Sequence, residues 1–504
     1  MARSERMDPV DVTWLRMDRP ANPMIITGVL TLAGPVDVPR LEATLAKRIL
    51  AYRRFRERVE FRGTSAWWCE DPHFDLAHHI KRARLPGAAG KSELQRFVAE
   101  LAGRPLDRTH PLWEFHIVED FEGGASVVTR MHHAIADGIA LVNVLLSLTD
   151  DRPDAPIARR KRGAGKGTDA STAREDLFGM AGRLVGTGLR VSDDVLKISL
   201  ELAAHPTRAI KYLRDGTGVA AELAYLLLMP MDTPTRFKGV PLGDKRVAWA
   251  DPIPLPEIKA VSRALGCSVN DMLLTAVTGA LKNYLRKKGD RTGGVEIRAL
   301  VPINLRPPGS TGEELGNRFG IIAVELPVGI TSPLERLYEV RRRMQALKTS
   351  YEPSVTLGLF AGLGYAPQII QDRLFDLLLS RATAVMTNVP GPQRQLYLAG
   401  SEVKQVIFWV PQSGNIGMGV SILSFNGKVH FGLITDAALV PDPEAIVECF
   451  APEFERLVYF VLMQACGEGL PSDGARAPVV RPRATRAKRA LRTRGRAKRV
   501  RPAP

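Results

Sequence analysis

The feature that most constrains this chain is a segment that changes from strand-like to helix-like around two adjacent histidines. A β-rich run over residues 126–131 ends at His132 and His133, and an apolar, helix-like run over residues 139–148 follows Gly138. The two imidazoles therefore lie in a strand-to-helix turn, where a loop can carry chemistry on a rigid scaffold. Histidine is the one side chain that, unperturbed, can take or give a proton near pH 7. The sequence thus predicts an acid–base site at this turn.

The spacing His-His-x-x-x-Asp-Gly over residues 132–138 is specific for a motif of this length. An alternating apolar pattern from Trp113 to Ile117, followed by Gly123-Gly124, predicts a hairpin whose return strand carries the two histidines. A second pair, His78-His79, lacks the following Asp-Gly. We predict that this second pair is structural.

Strand-like and helix-like segments alternate through both halves of the chain, which predicts an α/β fold. Because 504 residues exceed one ordinary core, we expect two domains. The predicted N-terminal domain covers residues 1–155, and a linker with amphipathic helices covers residues 156–239. The predicted C-terminal domain covers residues 240–468, and a basic tail covers residues 469–504.

The net charge of +16 is concentrated near the C-terminus. Residues 471–504 contain twelve Lys or Arg and one Asp, with few apolar side chains, which is typical of a disordered segment. Such a tail attracts phosphate or anionic lipid, but it lacks interleaved aromatic residues that read bases. We therefore do not expect a nucleic-acid-binding protein.

The cysteine pattern favours a reducing compartment, and the hydropathy pattern favours a protein without a membrane span. The four cysteines are scattered without a CxxC pair, so we expect no structural zinc and no disulfide framework. Adjacent histidines at a strand end point to opposite faces, which also weakens a His-His-Asp metal site. No apolar run approaches the roughly 20 residues that span a bilayer, and we expect no secretory signal.

Several further segments occur in a characteristic order along the chain. They are Pro111-Leu112-Trp113, the histidine motif, Val269-Asn270-Asp271 with Gly279-Ala280-Leu281, Asn388-Val389-Pro390-Gly391-Pro392 with Leu396-Tyr397, and Phe431-Gly432-Leu433 with Asp436. Together they resemble the bacterial wax ester synthase/acyl-CoA:diacylglycerol acyltransferase family over about residues 8–465. The histidine motif alone is also similar to chloramphenicol acetyltransferases and peptide-synthesis condensation domains.

The resemblance implies two chloramphenicol-acetyltransferase-like subdomains, each a mixed sheet flanked by helices, with a substrate channel between them. It implies an O-acyltransferase that uses acyl-CoA as a co-substrate, without a bound cofactor, and esterifies diacylglycerol, a long-chain alcohol or both. It further implies a cytoplasmic protein that associates peripherally with the inner membrane or lipid inclusions. Met24 is followed by Ile25, where many members carry a histidine, so the acyl and acceptor preferences stay open.

The resemblance also assigns roles within the histidine motif. His133 is the expected general base, which removes the proton of the acceptor hydroxyl as its oxygen attacks the thioester. His132 is expected to support the turn. Asp137 either contacts His133 or pairs with an arginine, for which Arg306 is our candidate. Gly138 would allow close approach of backbone or substrate.

Other predicted site residues lie outside the histidine motif. Asn270 either polarises the thioester carbonyl or caps its helix. Pro111, Trp113 and Asn388 are expected to give structural support. Because the sequence contains no G-x-S-x-G nucleophile elbow, we expect direct transfer in a ternary complex rather than a covalent acyl-enzyme.

Two alternatives remain open at this stage. One is a carrier-protein-dependent acyltransferase or condensation enzyme, although no carrier domain is visible in the sequence. The other is a non-catalytic protein that binds lipid surfaces through its tail. The preferred acceptor, the acyl chain length, the oligomeric state and the role of the tail do not follow from the sequence.

Overall fold

The computed structural model describes residues 4–63, 65–157, 226, 229–305, 317, 319–347, 352–365 and 368–466. The predicted amphipathic helices before residue 226, the basic tail and Arg306 lie outside these residues. The described helices are α1 (Pro9–Arg16), α2 (Val38–Arg48), α3 (Leu76–His79), α4 (Lys91–Gly103), α5 (Gly138–Ser147), α6 (Leu255–Ala264), α7 (Val269–Lys287), α8 (Pro333–Leu347), α9 (Glu352–Tyr365), α10 (Gln368–Leu379), α11 (Glu444–Val447) and α12 (Phe450–Cys466).

The strands form three sheets. They are β1 (Ser4–Arg6), β2 (Ile25–Leu32), β3 (Glu57–Arg62), β4 (Ser65–Glu70), β5 (Ile80–Ala83), β6 (Trp113–Phe121), β7 (Gly124–His132), β8 (Thr149–Asp150), β9 (Lys245–Trp249), β10 (Ile253–Pro254), β11 (Ile297–Asn304), β12 (Phe319–Leu326), β13 (Ala384–Pro390), β14 (Tyr397–Leu398), β15 (Ser401–Trp409), β16 (Met418–Phe425) and β17 (Lys428–Asp436). A small sheet has the order β1-β4-β3.

The first large sheet has the order β5-β6-β7-β2-β15-β14-β8. Strand β7 lies inside this sheet and pairs antiparallel with β6 and β2, and its pairing with β6 is the predicted hairpin. Every residue of β7 is buried, because elements cover both faces of the sheet. Strands β14 and β15 come from a late part of the chain, residues 397–409, and complete this sheet beside β2.

The second large sheet has the order β10-β17-β16-β13-β11-β12, with β9 paired to β17. Strand β13 runs parallel to β11 and β16, whereas β11 and β12 are antiparallel. The predicted α/β class with mixed sheets is therefore confirmed. The predicted domain boundaries stay a prediction. Strands β14 and β15 lie within the predicted C-terminal domain in sequence, but they join the first sheet.

Most residues of helix α7 are buried, and one of its glycines explains how the helix packs. A β-carbon on Gly279 would lie 2.0 Å from Oε2 of Glu453. Glu453 forms a buried ion pair with Arg336, and both side chains are almost fully inaccessible. The absence of a side chain at residue 279 thus leaves room for a buried charge pair beside the helix.

No single described helix is long and apolar enough to cross a membrane. Helices α6 and α7 meet that length and composition only as a pair, bent by 99°. Most of the residues of α7 are buried within the protein.

Candidate active site

The histidine turn, residues 132–138, connects the end of β7 to the start of α5. The backbone N–H of His133 donates to the carbonyl of Met24 at 2.8 Å, and that of Ile135 donates to the carbonyl of His132 at 3.0 Å. Asp137 is the N-cap of α5, because its Oδ1 accepts from the Ala140 N–H at 2.9 Å. The predicted strand–turn–helix arrangement is confirmed, and Asp137 fixes where the helix begins.

His132 has both ring nitrogens engaged by the protein. Its Nδ1 accepts from the Ala134 N–H at 3.0 Å, so Nε2 carries the proton and donates to Asp18 at 3.1 Å. Burial alone would raise the pKa of the Asp18 carboxyl. Hydrogen bonds from His132, Met24 and Arg108 outweigh this effect and lower the pKa to about 2. Asp18 is therefore a carboxylate that fixes the His132 tautomer. This geometry supports the expected supporting role of His132.

His133 lies with its ring between aromatic side chains. Only 4% of the residue is exposed, and its ring stacks on Trp14 with centroids 4.2 Å apart and planes 26° apart. Phe319 contacts it from a centroid distance of 5.5 Å. Burial lowers the pKa of the His133 imidazole to about 3, and the nearby His132 lowers it as well. The ring is therefore neutral near pH 7, which is the form that a general base requires.

A buried polar network holds the backbone of the histidine turn. Asn317 donates to the carbonyl of His133 at 3.0 Å and to Asp11 at 2.8 Å. Arg54 lies 2.8 Å from the other Asp11 oxygen and donates to the carbonyl of Ile135 at 2.7 Å. Burial raises the pKa of the Asp11 carboxyl to about 6, although the Arg54 charge opposes this shift.

The network of Asp11, Arg54 and Asn317 was not predicted from the sequence. One signal was present: Asp11 is an acidic residue within the otherwise apolar run Val10-Asp11-Val12-Thr13-Trp14-Leu15. An isolated acidic residue in an apolar helix indicates a buried carboxylate, and a buried carboxylate needs a polar partner. The identities of the partners lie far away in the sequence and had no local signal.

An apolar cavity with an empty volume of about 1000 Å³, including the space that opens to solvent, lies beside His133. We call it the first cavity. It is lined from the first half of the chain by α1 and the histidine turn, and from the second half by β11, β12 and β13. Its walls include Trp14, Met17, His133, Asp137, Gly138, Leu300, Pro302, Phe319, Ile321, Phe360, Thr387, Asn388, Val389, Phe408 and Val410. Its size and apolar lining suit a lipid-like ligand.

Gly138 lies at the wall of the first cavity, and the close approach of backbone or substrate expected there stays a prediction. A β-carbon at this position would lie 3.3 Å from Val410 and 4.0 Å from Ile26. A side chain here would therefore narrow the cavity where the first helical turn of α5 meets the residue after β15.

Asn270 does not cap its helix, contrary to one of the two expectations. Ser268 is the N-cap of α7, because its hydroxyl accepts from the Asp271 N–H at 3.1 Å and Asp271 accepts from the Ser268 N–H at 3.0 Å. Asn270 instead accepts from the side chain of Asn388 at 2.8 Å. Asn388 lines the first cavity, so this amide pair connects α7 to the cavity wall.

Pro111 and Trp113 lie at a packing corner beneath the histidine turn. Trp113 is fully buried, donates its indole N–H to the carbonyl of Phe55 at 2.9 Å, and stacks on His79 with centroids 4.2 Å apart. The carbonyl of Leu112 accepts from the His132 N–H at 3.0 Å. The segment therefore supports the start of the turn, and the packing of His79 agrees with its predicted structural role.

The proposed partner of Asp137, Arg306, lies outside the described residues. Among the residues that are described, no three His, Cys, Asp or Glu side chains come together as a metal-binding group.

Comparisons with known proteins identify the family. A family model described as the wax ester synthase/diacylglycerol acyltransferase catalytic domain matches residues 7–273, and the WS/DGAT C-terminal domain model matches residues 315–458. A Mycobacterium tuberculosis protein named as a diacylglycerol O-acyltransferase is 27% identical over 481 residues, which is 91% of each chain. A second one from the same species, named tgs1, is 28% identical and covers 86% of this chain and 91% of its own.

Solved structures show the same fold. The wax ester synthase/diacylglycerol acyltransferase from Marinobacter aquaeolei VT8 matches with a TM-score of 0.63 and 20% identity, over 91% of this chain and 100% of that chain. The first condensation domain of the calcium-dependent antibiotic synthetase matches with a TM-score of 0.52 and 13% identity, over 92% and 97% of the two chains. Because the catalytic-domain match alone covers more than half of the sequence, the chain belongs to the wax ester synthase/diacylglycerol acyltransferase family.

Proposed function

We propose that this protein transfers the acyl group of an acyl-CoA to the hydroxyl of diacylglycerol or a long-chain alcohol, with His133 as the general base. The observation that carries this proposal is a neutral, buried imidazole in the wall of an apolar cavity. Family membership supports the reaction class and the two acceptor types.

In the proposed mechanism, the acceptor hydroxyl and the thioester occupy the first cavity together. His133 accepts the hydroxyl proton while the oxygen attacks the thioester carbonyl. The carbon–sulfur bond then breaks, and the imidazolium returns the proton to the leaving CoA thiolate. No acyl-enzyme is formed, and each atom and proton is accounted for within the ternary complex.

The surroundings of His133 support this role. The indole of Trp14 stacks on the imidazole, so its π face can stabilise the positive charge that appears on proton transfer. Nδ1 of His133 and Oδ1 of Asn317 are both buried without another partner, and the Asn317 side chain favours the protonated ring. We infer that Nδ1–H faces Asn317, which leaves the Nε2 lone pair for the acceptor hydroxyl.

Asn270 and Asn388 are our candidates for polarising the thioester carbonyl. Their side chains are joined by a hydrogen bond at 2.8 Å, with Asn388 at the cavity wall. An amide N–H directed at the developing oxyanion would stabilise the tetrahedral intermediate.

We also propose that the protein works at a lipid surface in the cytoplasm, because its acceptors are poorly soluble in water. Exposed apolar side chains on and near α10, including Ile369 and Leu377, support this proposal. Flotation with vesicles of mixed neutral and anionic lipid tests it, and protein that remains at the bottom of the gradient would refute it.

The reaction is tested with purified full-length protein, long-chain acyl-CoA, and either dioleoylglycerol or hexadecanol. Release of free thiol and thin-layer chromatography of the lipid products should show triacylglycerol or wax ester. Acyl-CoA without an acceptor should leave no acyl group covalently bound to the protein. Product formed only from acyl-carrier-protein thioesters would favour the condensation-type alternative, and no product from any thioester would refute the proposal.

A further inference from the structure

A second cavity lies next to the first, and its lining is almost entirely apolar. Its empty volume is about 490 Å³. Helix α5 covers it with Val142, Leu145 and Leu146, and strand β15 forms its floor with Val406 and Phe408. This volume includes space that opens to solvent, and the apolar lining suits an apolar occupant.

Three chain segments pass from the first cavity to the second. Helix α5 begins in the first cavity at Gly138 and lines the second with Leu145 and Leu146, about 12 Å further along its axis. Strand β13 contributes Asn388 to the first cavity, and the loop that follows it contributes Pro392 to the second. The two spaces are therefore neighbours that share their walls.

Strand β15 provides the third connection. Val406, Phe408 and Val410 alternate along the chain and therefore share one face, over about 13 Å. Val406 lines the second cavity, Val410 lines the first, and Phe408 contacts both. Phe408 is only 2% exposed, whereas the valines on either side of it are half-buried. The ring thus separates two incompletely filled spaces along one apolar stripe.

Gly28, the partner of Phe408 in the neighbouring strand β2, also lines the second cavity. The space above Gly28 is filled by Thr129 and Leu145, since a β-carbon there would lie 2.7 Å from Oγ1 of Thr129 and 3.7 Å from Leu145. A chain that spans both cavities therefore has to displace the Phe408 ring.

We propose that the second cavity receives the far end of the acyl chain of acyl-CoA, which passes Phe408 from the first cavity. This inference rests on the proposed function. The direction follows from the site: the acceptor must present its hydroxyl to His133, on the side of Trp14 and Phe360. A thioester carbonyl at Asn388 lies instead near the end of β13, from which the chain continues to Pro392 in the wall of the second cavity, so the acyl chain enters that cavity.

Two opposing substitutions test the proposal in the full-length protein. Val406→Trp fills the second cavity, and Leu146→Ala enlarges it. Because one methylene in a hydrophobic pocket changes kcat/KM by roughly tenfold or more, Val406→Trp should lower kcat/KM for C16 and C18 acyl-CoA at least about tenfold while sparing short acyl-CoA. Leu146→Ala should shift the preference toward longer acyl chains.

Val410→Trp is the matched control, since it places the same side chain on the same apolar stripe but in the first cavity. It should lower activity with all acyl lengths alike. Each variant is measured with a series of acyl-CoA lengths at a fixed acceptor, and with a series of alcohols at a fixed acyl-CoA. Thermal unfolding confirms that each variant is folded, and Leu146→Ala still tests the proposal if Val406→Trp is not.

The proposal is overturned if the acyl-length profiles of Val406→Trp and Leu146→Ala parallel that of the wild type. It is equally overturned if only the alcohol-length profile shifts, since the occupant would then be the acceptor chain. A wild-type protein without any acyl transfer would instead refute the proposed function itself, so the two failures are distinguishable.

Discussion

At the residue scale, the site depends on how the backbone of His133 is held. Its N–H bonds to Met24 and its carbonyl bonds to Asn317, so the ring is positioned from two different parts of the chain. Asn317 in turn is tied to Asp11 and, through it, to Arg54. We describe these three as positioning residues, because they contact the turn rather than the cavity.

Asn317→Ala removes both hydrogen bonds that this side chain makes to the turn and to Asp11. Since a misplacement of about 1 Å can cost about a hundredfold in rate, kcat should fall roughly 10- to 100-fold. The KM for acyl-CoA should change little, since Asn317 does not line the first cavity. Steady-state kinetics of thiol release measures both constants. A large rise in KM with unchanged kcat would contradict a positioning role.

The pKa of Asp11 predicts a pH dependence. Because its pKa is raised to about 6, the carboxylate that pairs with Arg54 is lost as the pH falls below that value. The His133 ring, with a pKa of about 3, stays neutral over the same range. We therefore expect kcat/KM to fall below about pH 6 through Asp11 and not through protonation of the base.

Asp11→Asn separates these two causes. The variant should have a lower kcat/KM at pH 8, and its profile between about pH 5 and pH 8 should be nearly flat. An acid limb near pH 6 that persists in Asp11→Asn would show that another group, such as the base, titrates there.

The histidine turn was predictable because all of its determinants are local: a strand, two histidines, a capping aspartate and an apolar helix within about 20 residues. The network around it was not, because Asp11, Arg54 and Asn317 lie 43 to 306 residues apart along the chain. No periodicity or spacing connects Asp11 to Asn317 before the chain is folded.

At the scale of elements, the existence of helix α7 was predictable from the local sequence, but its capping residue was not predicted correctly. Its existence and approximate start were predictable from the sequence, but the capping residue is Ser268 rather than Asn270. The helix begins at Ser268 because Ser268 and Asp271 cap each other's backbone N–H groups, while the side chain of Asn270 accepts a hydrogen bond from Asn388.

Gly279→Ala in the same helix tests how tightly it packs. Helix propensity alone would make this substitution stabilising by about 1 kcal/mol. The added methyl group would instead collide with Glu453, 2.0 Å away, and disrupt its buried pair with Arg336. We expect a net loss of about 3 kcal/mol in the free energy of unfolding, measured by urea denaturation. A more stable variant would contradict the packing described.

At the scale of the whole molecule, the first large sheet is built from strands of both halves of the chain. Strand β15 lies beside β2 in the first sheet, although some 370 residues separate them in sequence. The alternation of strands and helices predicted the fold class. The pairing of β15 with β2 could not be predicted, because strand pairing over such a separation in sequence has no local signal.

A fragment of residues 1–239 should therefore fail to fold as an independent domain. Without β15, the β2 edge is unpaired and one wall of each cavity is missing. Unpaired apolar edges aggregate, so we expect an insoluble fragment or one without a cooperative unfolding transition. Sharp thermal unfolding of a soluble monomeric fragment would show that the first sheet is complete without the later segment.

The central claim is that the neutral His133 ring takes the proton of the acceptor hydroxyl. The most direct test is the turnover of His133→Ala with long-chain acyl-CoA and hexadecanol or dioleoylglycerol, beside His78→Ala, which removes an exposed imidazole of the other histidine pair. His133→Ala should lose roughly 10²- to 10⁴-fold in kcat, while His78→Ala should retain near-normal turnover. Near-normal turnover of a folded His133→Ala protein would contradict the role of His133 as general base.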